Sequence, residues 1–326
     1  MSKTFTDPQG RPLQRHNLAG DTMGTRYGAT FFAPDDLDLA AVSKALFANV
    51  DRVDRQMSTW KADSDLMRLN RAKTGLWVDI PAQLTTVLSV ALEIGHRSSG
   101  AFDIGLGGLV NAWGFGATGT VPDVQAITGR LGRSVPPAYG ILEIDTENCK
   151  ARKLAPIELD LSGIAKGFAV DEMMACLHSF GVENALVSLD GELKATGLKS
   201  ATEPWAVAVE KPDYEARTPL SVIELKQAAV ATSGDYRHWV DVGQMRLSHT
   251  MDRHGGGPVK TRVASVTVVA PECIAADAWA TALMVLGPEA GQVVARANGI
   301  DALFIMRSDQ GLTQIPVGSI FGGGQT

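Results

Sequence analysis

The chain has 326 residues, 45% of them hydrophobic, and a net charge of −6. At about 150 residues per domain this length suits two compact lobes with a full core, and no apolar run of about 20 residues offers a transmembrane helix. The acidic balance without a Lys/Arg cluster argues against nucleic acid, and the scattered Cys149, Cys176 and Cys273 have neither metal spacing nor disulfide logic and read as small core residues.

Residues 1–20 read as a polar leader without fixed structure, ahead of one domain of two intimately packed lobes over 21–320. The leader lacks an apolar h-region, so no secretory signal is visible. That places the protein in the cytoplasm in this form, or in the periplasm or at a membrane anchor if a leader has been removed. Met23–Phe32 reads as a strand following a turn. Pro34-Asp35-Asp36 opens a helix with Leu39, Val42, Leu46, Val50 and Val53 at helical spacing, its first turn acidic as the helix dipole favours. The loop MSTWKADSDLMRLN leads to a second helix from Pro81 to Arg97. SSGAFDIGLGGLVNAWGFG is glycine-rich and irregular, and 117–137 reads as a surface excursion with some helix. Ile141–Asp145 and Ile157–Leu161 read as the strands of a hairpin. A helix from Ile164 to Phe180 ends at Gly181 in the C′ position.

Strands are expected at Ala185–Leu189, Trp205–Glu210, Ser221–Leu225 and Val263–Ala270. An alanine-rich helix, Ala275–Leu286, closes at Gly287; a helix at Pro288–Ala297, a strand at Ala302–Met306 and a fraying glycine tail follow. Strand clusters interrupted by single helices imply an α+β fold with mixed, largely antiparallel sheets flanked by helices.

Three segments carry candidate chemistry. Asp277 and Thr281 are i and i+4, roughly 6 Å apart along one helix face, and offer two hard oxygens suited to Mg²⁺. Taken alone, the pair reads equally as a helix-start Asp and a Thr bonding back to a carbonyl. In ELDLSGIAKGFAVDEM, Gly163 lets the backbone approach a ligand and leaves its carbonyl open to a metal. Lys166 falls in a first helical turn, where the dipole disfavours a cation unless it faces an anion such as a diphosphate; a solvated surface lysine is the other reading. In RLSHTMDRHGGGPV, His249 followed three residues later by Asp252 has the spacing of a base with its orienting carboxylate, or of a structural histidine in a turn. Ser248 beside His249 lacks a G-x-S-x-G elbow. Gly105–Gly108 (GLGG) fails the dinucleotide spacing. Trp60 and Phe102 sit in loops, where they contact a ligand ring or cap a core.

The stretches MGTRY, STWKADSDLMRLN, GAFDIGLGGLVNAWGFG, LDLSGIAKGFAVDEM, PWAVAVEKP, AVATSGDYRHW, RLSHTMD and AADAWATALMVLG occur in the order of the ApbE family, the FAD:protein FMN transferases, and the chain resembles that family over residues 22 to about 307. The resemblance implies a T-fold-like, two-lobed architecture and a Mg²⁺-dependent enzyme with FAD as substrate. Such enzymes cleave the FAD diphosphate and join FMN through a phosphoester to a Thr or Ser of an acceptor flavoprotein subunit, within a D-x-x-x-[ST]-[GA]-A-T type motif. By the same resemblance, Mg²⁺ falls on the Gly163 carbonyl, Asp277 and Thr281. Flavin contacts fall on Met23, Trp60, Ala101, Phe102, Asp103, Asp160, Lys166 and Thr250, and His249 becomes the base, oriented by Asp252.

Two departures stand out. Family members commonly read H-x-x-D-P, whereas Arg253-His254 follows Asp252 here, which is expected to loosen that turn. A frequent G-G-E is Asp190-Gly191-Glu192 here, with a less free backbone. Relatives that hydrolyse FAD to FMN and AMP carry an Asn where others have an aromatic, so Trp60 favours transfer; a Mg²⁺-dependent FAD pyrophosphatase and a non-catalytic flavin-binding assembly protein are the alternatives.

Overall fold

The computed structural model describes residues 5–6, 9–117, 121–130, 136–200, 202–236, 239–242 and 245–322. The first hairpin joins β1 (Gln14–Thr22) to β2 (Thr25–Ala33) through Met23-Gly24, both at positive φ (47° and 70°). The latter half of the expected leader is therefore a strand. Its polar composition misled because β1 is the outermost strand of its sheet and is mostly solvent-facing.

Helix α1 (Leu39–Met57) starts later than expected. Leu37 N–H donates to the Pro34 carbonyl in a turn, and Asp38 is the N-cap, accepting from the Ala40 and Ala41 amides at 3.0 Å. Acidic side chains thus precede the first turn and none lies within it. Val42, Leu46, Val50 and Val53 are fully buried, as their spacing required. After α2 (Asp65–Arg71), capped by Ser64, come β3 (Val78–Asp79) and α3 (Ala82–Arg97). Short helices α4 (Gly107–Ala112), α5 (Val124–Arg130) and α6 (Ala138–Ile141) follow. The helical part of the 117–137 excursion is α5; 118–120 and 131–135 lie outside the described residues.

The expected hairpin closes sooner than its sequence suggested. β4 (Leu142–Asp145) pairs with β5 (Lys150–Lys153), because Asp145 accepts the Asn148 amide and tightens the turn. Residues 157–161 are extended without a strand partner of that kind. Asn70 clamps Leu159 in both directions (2.7 and 2.9 Å), Asp160 N–H donates to Ile104, and Gly107 N–H donates to Glu158. These bonds satisfy the backbone and fix the approach to Gly163.

Helix α7 (Ala165–Ser179) ends in a Schellman motif at Gly181, with Val182 N–H donating to Leu177 and Gly181 N–H to His178. Then come β6 (Asn184–Leu189), β7 (Glu192–Thr196), β8 (Trp205–Glu210), β9 (Pro219–Leu225), β10 (Ala228–Gly234), β11 (Trp239–Val242), β12 (Met245–Ser248), β13 (Met251–Asp252), β14 (Gly257–Pro258) and β15 (Val263–Ala270). Helix α8 (Cys273–Ala297) is kinked at Gly287 (φ 71°), with Pro288 opening its second limb, which gives the two helical segments read from the sequence. β16 (Asp301–Ser308) and β17 (Gly311–Val317) close the chain, and the tail from 323 on lies outside the described residues.

Eight strands form one sheet in the order β1-β2-β6-β7-β10-β15-β16-β17, every neighbouring pair antiparallel. Helices α1, α7 and α8 pack on one face around a core containing Phe31, Leu46, Met173, Leu283 and Phe304. The β8–β9 hairpin covers part of the other face with Trp205, Val207, Ile223 and Leu225 against Val230, Val269 and Ile305. The middle of the sheet is thus buried on both sides, and β15 is buried along nearly its whole length, Ser265 and Thr267 included. No helix among the described residues is long and apolar enough to cross a membrane.

Candidate active site

A cavity of about 1390 Å³ opens where two hairpin turns, the start of α7 and one face of α8 converge. Because β2 pairs with β6, the Met23-Gly24 and Asp190-Gly191 turns lie side by side on its wall. Of the residues expected at the site, every one but Asp252 lines this cavity: Met23, Trp60, Ala101, Phe102, Asp103, Asp160, Gly163, Lys166, His249, Thr250, Asp277 and Thr281.

Asp277 and Thr281 lie on the first limb of α8, with Gly163 facing them. A Cβ on Gly163 would come 3.0 Å from Thr281 Oγ1 and 3.4 Å from the Phe102 ring, so glycine lets this loop approach the pair without displacing either. Gly167 N–H, which a helical turn would aim at the Gly163 carbonyl, donates instead to Asp277 Oδ2 at 2.9 Å. Thr281 Oγ1 lies 3.2 Å from Ser233 Oγ. A carboxylate, a hydroxyl and a carbonyl left out of the helical ladder are hard oxygen donors. Among the described residues no group of three or more His, Cys, Asp or Glu is placed to hold a metal. Hard oxygen donors of this kind suit Mg²⁺, which takes one or two carboxylates, better than Zn²⁺.

Lys166 is in the first turn of α7, as expected, but its partners were not foreseen. Nζ lies 2.9 Å from Glu192 and 3.3 Å from Asp190. Burial would lower the Lys166 pKa, yet Glu192, Asp277 and Asp190 outweigh it and hold the ammonium charged. Burial pushes Glu192 up to about 8, against the pull of Lys166, and pushes Asp277 up to about 6. With Glu192 holding its proton at neutral pH, Asp190 and Asp277 still outnumber the one ammonium, which makes this wall a poor surface for a diphosphate unless a cation joins it. Asp190 takes positive φ (55°) although it is not glycine, so the D-G-E turn forms here on a less free backbone. Glu192 is the main residue the sequence reading missed; the D-G-E turn itself was its signal, since a two-residue turn leaves Glu192 directly opposite Leu189 at the cavity end of the sheet.

The Ala101–Asp103 loop is tied by hydrogen bonds at both ends. Ser98 Oγ accepts the Phe102 amide, and Asp103 Oδ1 accepts the amides of Gly105 and Ala138. Burial raises the Asp103 pKa, opposed by those amides and by Arg253. Asp160 accepts the Ser162 amide at 2.8 Å and so shapes the turn before Gly163. Trp60 is 68% exposed on the rim, a large apolar ring with no core to fill. Thr250 is buried, its amide bonded to Ser248 Oγ.

His249 lies on the cavity wall with its ring 6.4 Å from that of Phe115. The expected His249–Asp252 pairing is not made. Both Asp252 oxygens accept backbone amides of their own turn, His254 at 2.9 Å and Gly255 at 3.0 Å. The turn is accordingly held, not loosened.

A model of the ApbE family matches residues 23–304. The FAD:protein FMN transferase of Vibrio cholerae serotype O1 is 37% identical over 312 residues, covering 93% of this chain and 91% of its own. That of Escherichia coli strain K12 is 31% identical over 309 residues, covering 92% and 88%. Among solved structures, the flavin transferase ApbE from Vibrio cholerae matches with a TM-score of 0.85 at 34% identity over 95% of this chain and 99% of that one. The apo flavinyl transferase ApbE from Pseudomonas stutzeri matches with 0.84 at 33% identity over 96% and 98%. With the family model spanning most of the sequence and the same fold shared along nearly its whole length, the chain belongs to the ApbE family.

Proposed function

We propose that the chain is a Mg²⁺-dependent FAD:protein FMN transferase, which cleaves the FAD diphosphate and attaches FMN to a Thr or Ser hydroxyl of a partner flavoprotein. The observation that carries this reading is the convergence of Asp277, Thr281 and Gly163 with Lys166, the Ala101–Asp103 loop and His249 on one cavity. The activity named for the relatives supports it.

Asp277, Thr281 and the Gly163 carbonyl would hold Mg²⁺, and the bound ion would offset the diphosphate charge that repels an incoming oxygen. At about 4 Å and an effective dielectric near 20, one unit charge is worth about 4 kcal/mol, roughly a thousandfold in rate if it acts only in the transition state. Lys166 exchanges part of its pairing with Asp190 and Glu192 for a diphosphate oxygen and stays protonated as it does so. The Ala101–Asp103 loop and Trp60 orient the flavin half. His249 takes the proton from the acceptor hydroxyl as that oxygen bonds to the FMN phosphorus. The bond from this phosphorus to the bridging oxygen breaks, and AMP leaves with the electron pair. The acceptor presents its hydroxyl in a D-x-x-x-[ST]-[GA]-A-T type segment.

The test is incubation of the full chain with FAD, Mg²⁺ and an acceptor protein bearing that segment, followed by in-gel flavin fluorescence. Fluorescence on the acceptor is expected. Free FMN and AMP with an unlabelled acceptor would favour a pyrophosphatase, and neither product would favour a flavin-binding assembly protein.

A further inference from the structure

The turn that follows His249 is tied to the loop Ala101–Asp103 by a buried ion pair that spans 150 residues of sequence. Arg253 Nη1 lies 2.7 Å from Asp103 Oδ2; the Asp103 side chain is 1% exposed and that of Arg253 13%. To get there the arginine runs along the backbone of Gly100, its Cδ 4.0 Å from where a side chain at that position would begin. Asp103 is a junction, because its other oxygen accepts the Gly105 and Ala138 amides at 2.8 and 3.1 Å.

On the far side, the same turn is held by Asp252 capping two amides and by Trp113 Nε1 donating to the Gly256 carbonyl at 3.4 Å. Pairing of Met251 with Pro258, and the bond from Val259 N–H to the Thr250 carbonyl, join the turn stiffly to Thr250 and so to His249. Arg253 itself is not part of the cavity lining, whereas Asp103, His249 and Thr250 are. A residue outside the cavity thus connects two of its walls.

We infer that Arg253 is a positioning residue for the proposed transfer, its ion pair with Asp103 fixing the His249–Thr250 segment against the Ala101–Asp103 loop. The inference rests on the functional reading above, and it assigns Arg253 no contact with the reacting groups. The physical basis is that a buried pair with one partner removed leaves an uncompensated charge, so the loops must shift to let water reach it. Displacement of a catalytic group by about 1 Å is enough to cost on the order of 100-fold in rate. Only Nη1 of the guanidinium serves the pair, since Nη2 is buried without a hydrogen-bond partner. A lysine, which supplies one point charge and no fork, should therefore replace most of the function.

The experiment compares wild type, R253K, R253M and the double variant D103N/R253M. It measures FMN transfer to a Thr-bearing acceptor with FAD and Mg²⁺, and amide hydrogen exchange of the full chain across 249–259. In R253M, kcat is expected to fall on the order of 100-fold with the KM for FAD changed less than about threefold, and R253K is expected to recover to within about fivefold of wild type. Exchange across 249–259 is expected to quicken in R253M. If R253M does not fold, the double variant, which removes the stranded carboxylate, is expected to fold and still to exchange quickly at 249–259. Wild-type kcat in R253M, a loss confined to KM, or R253K as impaired as R253M would overturn the inference. A wild type that transfers no FMN would sink the functional reading instead, and unchanged protection across 249–259 would still overturn the role of Arg253.

Discussion

The Asp277 carboxylate accepts the Gly167 amide at 2.9 Å, and this bond joins the two helices that carry the proposed metal and diphosphate contacts. α7 and α8 meet backbone to backbone here: a Cβ on Gly167 would come 2.4 Å from the Cys273 carbonyl oxygen. Asp277 therefore has two separable duties, an acceptor that links helices and a charge that faces the cavity.

Asparagine keeps the first duty and drops the second. Asp277→Asn is expected to leave the melting temperature nearly unchanged while lowering Mg²⁺-dependent transfer by about a thousandfold. Asp277→Ala also strands the Gly167 amide and should lose about 1–3 kcal/mol of stability. Calorimetry beside a transfer assay checks both; full activity in the asparagine variant would remove Asp277 from the metal site.

Stability should fall with rising pH in chelator. Burial raises Glu192 from 4.5 to about 8 and Asp277 from 3.8 to about 6, so the folded chain holds protons that the unfolded chain has released. The stability from those protons is complete below the unfolded values and is lost as pH rises through about 6 and then about 8. Lys166, whose pKa is raised, loses its contribution only at far higher pH. Thermal melts of wild type and Glu192→Gln over this window isolate the upper step. A wild-type slope no steeper than the variant's would contradict the assignment.

Gly163→Ala places a methyl 3.0 Å from Thr281 Oγ1 and must displace it. The overpacking should cost about 1 kcal/mol in stability, with a larger fractional loss in Mg²⁺ affinity. Titration of the metal by calorimetry tests this, and unaltered affinity would show that the Gly163–Thr281 approach is not part of an ion site.

For His249→Ala, FAD binding is expected to persist, because His249 is not among the residues proposed to hold the flavin and its place on the wall is beside Phe115. Transfer should fall about 10²–10⁴-fold, the range for loss of a general base. Flavin binding and single-turnover transfer measured together decide it; a wild-type rate would remove His249 from the mechanism.

Local chemistry was the legible part of the sequence. The i, i+4 spacing of Asp277 and Thr281 puts both on one helix lining the cavity with Gly163, and the C′ glycine at 181 ends its helix as its position within a few residues implies. Strands of small or polar residues were not legible. β10, written AAVATSG, has no alternation because it lies inside the sheet, while β1 and β17 are outer strands whose polar residues meet solvent. Partners brought together by the fold were harder to read: nothing near Asp103 announces Arg253, and Glu192 was signalled only by its own D-G-E turn, with nothing to tie it to Lys166. Asp252 shows the opposite error, a suggestive spacing to His249 overridden by the needs of its own turn.

The most direct measurement is peptide mass spectrometry of an acceptor protein after incubation with this chain, FAD and Mg²⁺, set against the same acceptor with its Thr replaced by Val. An FMN phosphoester on that Thr, absent without Mg²⁺ and absent from the Val acceptor, is the predicted result. An unmodified Thr while FAD is converted to free FMN and AMP would contradict transfer as the function of this site.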